Sequence, residues 1–199
     1  MKKSVWDFFA PVYERAMKSQ KNIYKSIYQN IRLVVDGKSV LELATGPGLI
    51  ARNISEKAKS IVATDFSPSM IEQARKSGAP ENVIFEVADA TDLRFEDNSF
   101  DVVIIANALH IIPNPEKALE EISRVLKDSG TLIAPNYIER KSGRKNLWQK
   151  ILTLAGIKFA HEWTADEYAG FLEQNGWTVE KKQILKGRID LLYAECKRK

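Results

Sequence analysis

The sequence predicts an α/β protein built on a doubly wound, mostly parallel seven-stranded sheet, with an antiparallel strand contributed by a C-terminal hairpin. Three observations lead to this. Short apolar runs alternate with segments of helical spacing from residue 39 to residue 134, the pattern of repeated strand–helix–strand units. The runs are apolar almost throughout rather than at every second position, so both faces of the sheet must be covered. The last two runs, 177–185 and 189–195, are separated only by a short turn around Gly187, which leaves no room for a crossover helix and forces antiparallel pairing.

The elements follow in order. Residues 1–34 read as helical, and the turn Asp36-Gly37 precedes a first buried strand, Ser39-Val-Leu-Glu-Leu43. Gly46-Pro-Gly48 then breaks the chain before a helix over 49–59. A second strand covers 60–65; Ser67 is placed to cap the next helix, with Pro68 at its first position and Gly78 at its end. The third strand covers 82–87, and the fourth, 100–106, is the most apolar of all. Asn114-Pro115 repeats the cap-and-proline signal for a helix to about residue 127, which Gly130 closes before a fifth strand over 131–134. An insertion follows to residue 163, then Thr164 caps a helix to about 174 and the hairpin ends the chain.

Composition narrows the class. At 199 residues the chain suits one domain better than two, and 44% hydrophobic with 28% charged residues excludes a disordered or fibrous protein. A single cysteine, Cys196, permits no internal disulfide and points to the cytoplasm. The longest uncharged run, 102–115, holds Asn107, His110 and two prolines and does not read as a membrane span, and the N-terminus lacks a signal-peptide cleavage site. The net charge of +4 is uneven: +5 over 1–34, −6 over 35–136, +4 over 137–163 and +1 over 164–199.

The loop Gly46-Pro-Gly48-Leu-Ile-Ala51 fits G-x-G-x-x-A, in which glycines allow a tight turn and close approach of a ligand to the main chain. Asp65 ends the second strand 17 residues after Gly48, where a carboxylate can accept from both hydroxyls of a ribose. Asp89-Ala90 follows the third strand, placed to meet an adenine edge. All three features fall at the carboxyl edge of the sheet, where open α/β folds bind ligands.

Together these segments resemble the class I S-adenosylmethionine-dependent methyltransferases. The stretch Val40-Leu-Glu-Leu-Ala-Thr-Gly-Pro-Gly-Leu49 resembles their first motif, E/D-x-G-x-G-x-G, with Ala44 in place of its first glycine. Ala63-Thr-Asp-Phe-Ser-Pro-Ser-Met70 resembles the ribose acid and the helix after it, and Ala88-Asp-Ala90 the adenine-side element. Residues 101–110 and 118–127 resemble the fourth strand and helix of the branch containing ubiquinone and menaquinone biosynthesis enzymes, and the likeness covers about 37–136.

The resemblance implies a Rossmann-like methyltransferase fold that binds S-adenosyl-L-methionine and its product S-adenosyl-L-homocysteine. It implies a cofactor site in which Glu42 lies near the ammonium group and Ala44, Thr45, Gly46 and Gly48 form the loop. Asp65, Phe66, Ser67 and Met70 follow the second strand, Asp89 and Ala90 the third, and Asn107 and Ala108 the fourth. Tyr13 resembles the N-terminal aromatic that reaches the cofactor in that branch. The implied reaction is methylation of a small molecule.

Two other readings remain. A nicotinamide-dependent reductase shares the glycine loop, and Tyr137-Ile-Glu-Arg-Lys141 has the spacing of a short-chain dehydrogenase pair; that pair needs a helix, whereas Tyr137 leaves a strand. A non-catalytic cofactor- or RNA-binding module would use the basic ends, although no run interleaves Lys and Arg with aromatics as nucleic-acid binding requires. The residues after the fourth strand read Asn107-Ala-Leu-His110 rather than the D/N-P-P-Y/F of amino-group methylation, one cysteine is too few for arsenite methylation, and no zinc-ligand spacing occurs.

His110 is the candidate catalytic or acceptor-orienting residue, with packing as its alternative; His161 reads as surface or packing. The chain divides into an N-terminal helical lid (1–34), a cofactor-binding core (35–136), a substrate-cap insertion (137–163) and a C-terminal helix with hairpin (164–199). Trp6, Phe8, Phe9, Trp148, Phe159 and Trp163 give lid and cap an apolar character suited to an apolar or aromatic acceptor, and their basic charge permits peripheral contact with a membrane surface. The expected state is a monomer or weak dimer.

Overall fold

Strand propensity and apolar runs place the sheet where the sequence does. In the computed structural model, which describes residues 20–139, 160–187 and 189–199, β1 (Ser39–Leu43) and β2 (Ser60–Asp65) have the predicted bounds. The strands β3 (Val83–Val87) and β4 (Phe100–Ile105) differ from expectation by one residue. After them come β5 (Leu126–Ile133), β6 (Asn136–Tyr137), β7 (Trp177–Leu185) and β8 (Leu191–Arg198). The order is β3-β2-β1-β4-β5-β8-β6, with β7 on β8. Strands β1 to β5 run parallel, and β8 runs antiparallel to β5, β6 and β7. The sheet has eight strands rather than seven because Asn136 and Tyr137 pair briefly with Leu192 and Leu191, a contact too short to show as a hydrophobic run.

The five described α-helices are α1 (Lys21–Val34), α2 (Leu49–Ile54), α3 (Pro68–Lys76), α4 (Pro115–Val125) and α5 (Ala165–Gln174). The predicted caps are made. Ser67 accepts from the Met70 amide, Asn114 from the Lys117 amide, and Thr164 forms a reciprocal capping box with Glu167. Two boundaries differ from expectation. The helix after Gly48 ends at Ile54, and α4 ends at Val125, where the chain turns directly into β5. The β4–β5 register jumps from Phe100↔Leu126 to Val102↔Thr131, so residues 127–130 bulge out. Gly130 lies inside this strand rather than before it, and a Cβ there would meet Leu126 Cγ at 2.5 Å.

Alternation along the strands divides the core in two. Leu41, Leu43, Val103 and Ile105 face α4 and α5, while Val40, Val102 and Ile104 face the side of α1, α2 and α3. On α1, Ile23, Ile27 and Ile31 recur every four residues and are buried with Ile50, Ile54 and Tyr193. Arg32 fixes this packing by donating to the Asn53 carbonyl through Nε at 2.8 Å and Nη2 at 2.5 Å. The isoleucine face of α1, within the segment expected as a lid, is therefore part of the core. Residues 1–19 of that lid, and residues 140–159 of the cap, lie outside the described residues. Among those described, no helix is long and apolar enough to cross a membrane.

Because Ile31 is fully buried, Ile31→Ala should lower unfolding free energy by about 2–4 kcal/mol. Urea titration followed by circular dichroism measures it; a change below about 1 kcal/mol would show that α1 is peripheral.

Candidate functional site

The connections from β1 and β4 leave in opposite directions, since β2 lies on one side of this strand pair and β5 on the other. The crevice at their carboxyl ends is the topological switch point of the sheet. A cavity of about 510 Å³ opens there.

The backbone around it is unusual. Ala44 (φ 52°), Gly46 (φ 56°), Gly48 (φ 75°) and Asn107 (φ 54°) all adopt the left-handed conformation, Ala44 doing so with a Cβ that disfavours it. Thr45 N donates to the Thr64 carbonyl at 2.8 Å, and the Asp65 carboxylate accepts from Gly46 N at 2.8 Å and Ser67 N at 2.9 Å. Gly48 is fixed by packing: a Cβ would lie 2.6 Å from Phe85 Cε1.

Ala44, Gly46, Asp65, Phe66, Met70, Asp89, Ala90, Asn107 and Ala108 line the cavity, so the structure brings nine of the expected cofactor residues together. Phe66 is 63% exposed, with its ring at the mouth, and Met70 is buried. Asp89 Oδ1 accepts from the backbone amide and hydroxyl of Thr91, which steadies the β3 loop. Glu42, Thr45, Gly48 and Ser67 stand behind the lining; Ser67 caps α3. Tyr13 lies outside the described residues. Thr91 and the segment Ile111-Ile-Pro-Asn114 also line the cavity and were not anticipated, although two isoleucines between a strand and a helix cap are a visible signal.

Three acceptor atoms at the ends of β1 and β4 are buried without a hydrogen bond: Glu42 Oε2, Thr45 Oγ1 and Asn107 Oδ1. Glu42 is 1% exposed. Burial pushes its carboxyl up to about 8, against the weaker lowering influence of Thr45, the Ala51 amide and Arg52. Each orphan costs about 1–3 kcal/mol when nothing replaces water. Of the three, Asn107 lines the cavity, where its Oδ1 can accept from a ligand donor, and Asp65 and Asp89 line the same cavity.

His110 is buried and stands beside the cavity rather than on its lining. Its Nδ1 is 2.8 Å from Asn136 Oδ1, and Asn136 Nδ2 donates to the Tyr137 carbonyl, so the amide oxygen faces the imidazole and Nδ1 carries the proton. Burial holds the ring near pKa 4, so it is neutral at pH 7. The His110 carbonyl accepts from Ala160 N and His161 N, which brings the end of the insertion to this loop. His161, Trp163 and Phe171 stack in sequence, with centroids 4.9 and 4.7 Å apart. Tyr137 sits in β6, and Lys141 lies outside the described residues.

Comparison with known proteins follows this geometry. Residues 41–134 match a family described as methyltransferase domain. A demethylmenaquinone methyltransferase of Clavibacter sepedonicus is 41% identical over 100 residues, covering 50% of this chain and 41% of the relative. A ubiquinone/menaquinone biosynthesis C-methyltransferase of Rickettsia prowazekii is 30% identical over 165 residues, covering 73% and 66%. The chain thus spans less than two thirds of the length of either. Among solved structures, a methyltransferase in complex with the Haloferax volcanii Trm112 activator superposes with a TM-score of 0.81 at 22% identity, over 98% of this chain and 97% of that one. A DhpI–SAH complex gives 0.76 at 22%, over 97% and 93%. At these identities the two structures show the shared fold.

Replacing Ala44 with glycine removes the left-handed penalty at this one residue. Ala44→Gly should raise stability by about 1 kcal/mol and leave ligand affinity equal or better. Denaturant titration and calorimetry check both; a large loss of affinity would mean that the methyl group itself shapes the loop.

Proposed function

We propose that the chain is a class I S-adenosylmethionine-dependent methyltransferase that methylates a small-molecule acceptor with an apolar or aromatic body, a reading supported by the methyltransferase domain matched over 41–134 and by the shared fold. The observation that carries the reading is the buried, unpartnered Asn107 Oδ1 on the lining of a cavity that Asp65 and Asp89 also line, with the buried carboxyl of Glu42 at the end of β1. Bound S-adenosylmethionine supplies a methyl carbon already activated by its sulfonium.

The residues divide the binding work. Asp65 and Asp89 take the sugar and base, Phe66, Met70 and Ala90 pack on the base, and the Ala44–Gly46 loop with Ala108 encloses the thioether. Glu42, Thr45 and Asn107 take the ammonium. In this reading Gly48 and Ser67 hold the loop and α3 in place, and Tyr13 contacts the cofactor from the N-terminal segment. Methyl transfer is an in-line displacement, so the protein chiefly aligns the acceptor and excludes water. His110 is assigned to the acceptor side, as the group that orients the acceptor or takes its proton, help worth about 10²–10⁴-fold. The names of the two relatives point to quinone-related ring carbons as the acceptor class. The buried Cys196, its thiol pushed up to about 12 mainly by burial, accords with a reducing cytoplasm.

Labelled S-adenosylmethionine offered with a panel of hydroxylated aromatic acceptors and reduced quinones tests the reaction; transfer to none of them, with cofactor bound, would leave a binding module. Asp65→Ala should weaken S-adenosylhomocysteine by more than about tenfold, since a carboxylate acceptor and two loop anchors are lost together. Undiminished binding by calorimetry would remove Asp65 from the site, and tight NADH binding would restore the reductase reading.

Glu42 gives a pH signature. Its carboxyl titrates near 8 in the free protein, and an ammonium beside it lowers that value, so binding releases a proton. Affinity for S-adenosylhomocysteine should therefore rise from about pH 6 to 8, by at most roughly tenfold per unit, and level off above. Glu42→Gln should flatten the profile; an unchanged slope would assign it to another group.

A further inference from the structure

The amide of Asn107 is held from outside the cofactor loops. Tyr24, on the buried face of α1, receives a hydrogen bond from Asn107 Nδ2 at 3.3 Å. Asn107 is 8% exposed and lines the cavity, and its other amide atom, Oδ1, is the buried acceptor without a partner. Asn107 N donates to the Pro135 carbonyl at 2.8 Å, so the residue is also fixed through its backbone. The register Leu43↔Ile105 brings the chain beyond β1, which carries Thr45, alongside the chain beyond β4, which carries Asn107. Tyr28, one turn on from Tyr24 with ring centroids 5.9 Å apart, is close enough to Glu42 for the carboxylate to help raise its phenol pKa, after burial and Tyr24. Tyr24 thus reaches the site from α1, with Tyr28 beside it.

A carboxamide is nearly symmetric, and its two ends have opposite hydrogen-bonding character. With the nitrogen engaged by a hydroxyl, the oxygen is turned toward the remaining space. Resting on the methyltransferase reading, we propose that Tyr24 is a positioning residue for the charged end of the cofactor: by holding Asn107 Nδ2 it presents Asn107 Oδ1, together with Glu42 and Thr45, as a fixed acceptor set for the ammonium group. The helix that supplies Tyr24 is anchored in the core by Ile23, Ile27 and Ile31, so the orientation is set before ligand arrives and costs little on binding.

A pair of ligands separates this role from general packing. S-adenosylhomocysteine carries the aminocarboxylate chain; 5′-methylthioadenosine has the same nucleoside and thioether without it. In Tyr24→Phe, which keeps the ring and removes the hydroxyl, the dissociation constant for S-adenosylhomocysteine should rise about five- to tenfold, the worth of one hydrogen bond. That for methylthioadenosine should change less than about twofold, because the nucleoside contacts are untouched. Asn107→Ala should show the same selectivity, and the double variant should be no weaker than Asn107→Ala alone. Equal losses for both ligands, additive losses in the double variant, or no loss in Tyr24→Phe would each overturn the proposal. Wild-type protein that binds neither ligand would overturn the methyltransferase reading itself, and is told apart by needing no variant.

Discussion

One carboxylate ties the loop after β1 to the start of α3. Asp65 sits at the last position of β2, and its two oxygens accept separately from Gly46 N and Ser67 N. Hydrogen bonds from backbone N–H groups to an ionised carboxylate are shorter and stronger than neutral ones. This clamp stabilises a loop whose left-handed Ala44 and Gly46 would otherwise relax. Because Ser67 also caps α3, the same carboxylate fixes where that helix begins, and with it the positions of Phe66 and Met70 at the cavity. The floor of the site is thus set by backbone geometry ahead of any ligand.

The cost of that preorganisation is visible on the other side of the crevice. Glu42, Thr45 and Asn107 each keep a buried acceptor unsatisfied, at a penalty of about 1–3 kcal/mol apiece, against a total stability of about 5–15 kcal/mol for ordinary domains. An apolar replacement would remove the penalty without disturbing the sheet. Retention of three such groups at one switch point is the physical argument for a ligand that carries matching donors. The 8% exposure of Asn107 in a left-handed conformation adds to it, since strain at a non-glycine residue persists where the surroundings over-determine it.

Much of this was legible from residues alone. The strand at 60–65, the caps at Ser67, Asn114 and Thr164, and the C-terminal hairpin rest on local propensities that tertiary contacts did not override. Local signals failed where packing decided. Gly130 looked like a helix terminator and is a residue that must pass beside Leu126. Charge and aromatic content set residues 1–34 apart from the core, whereas the isoleucines four residues apart on α1 bind its inner face to the sheet. Tyr24 was missed for a related reason: adjacent to that stripe it reads as one more buried aromatic, and only the long-range contact to Asn107, 83 residues away, distinguishes it.

The acceptor side obeys a different constraint from the cofactor side. There His110 shares its Nδ1 proton with Asn136, whose own amide is fixed by the Tyr137 carbonyl, while His161 Nε2 nearby is buried without a hydrogen bond. Beside it lies the stack of His161, Trp163 and Phe171, and Tyr168 secures α5 by donating to the Ala134 carbonyl at 3.0 Å. The imidazole of His110 is thus fixed and neutral. The contrast follows from burial: the ends of β1 and β4 hold buried oxygens without partners, whereas His110 and Asn136 are paired with each other.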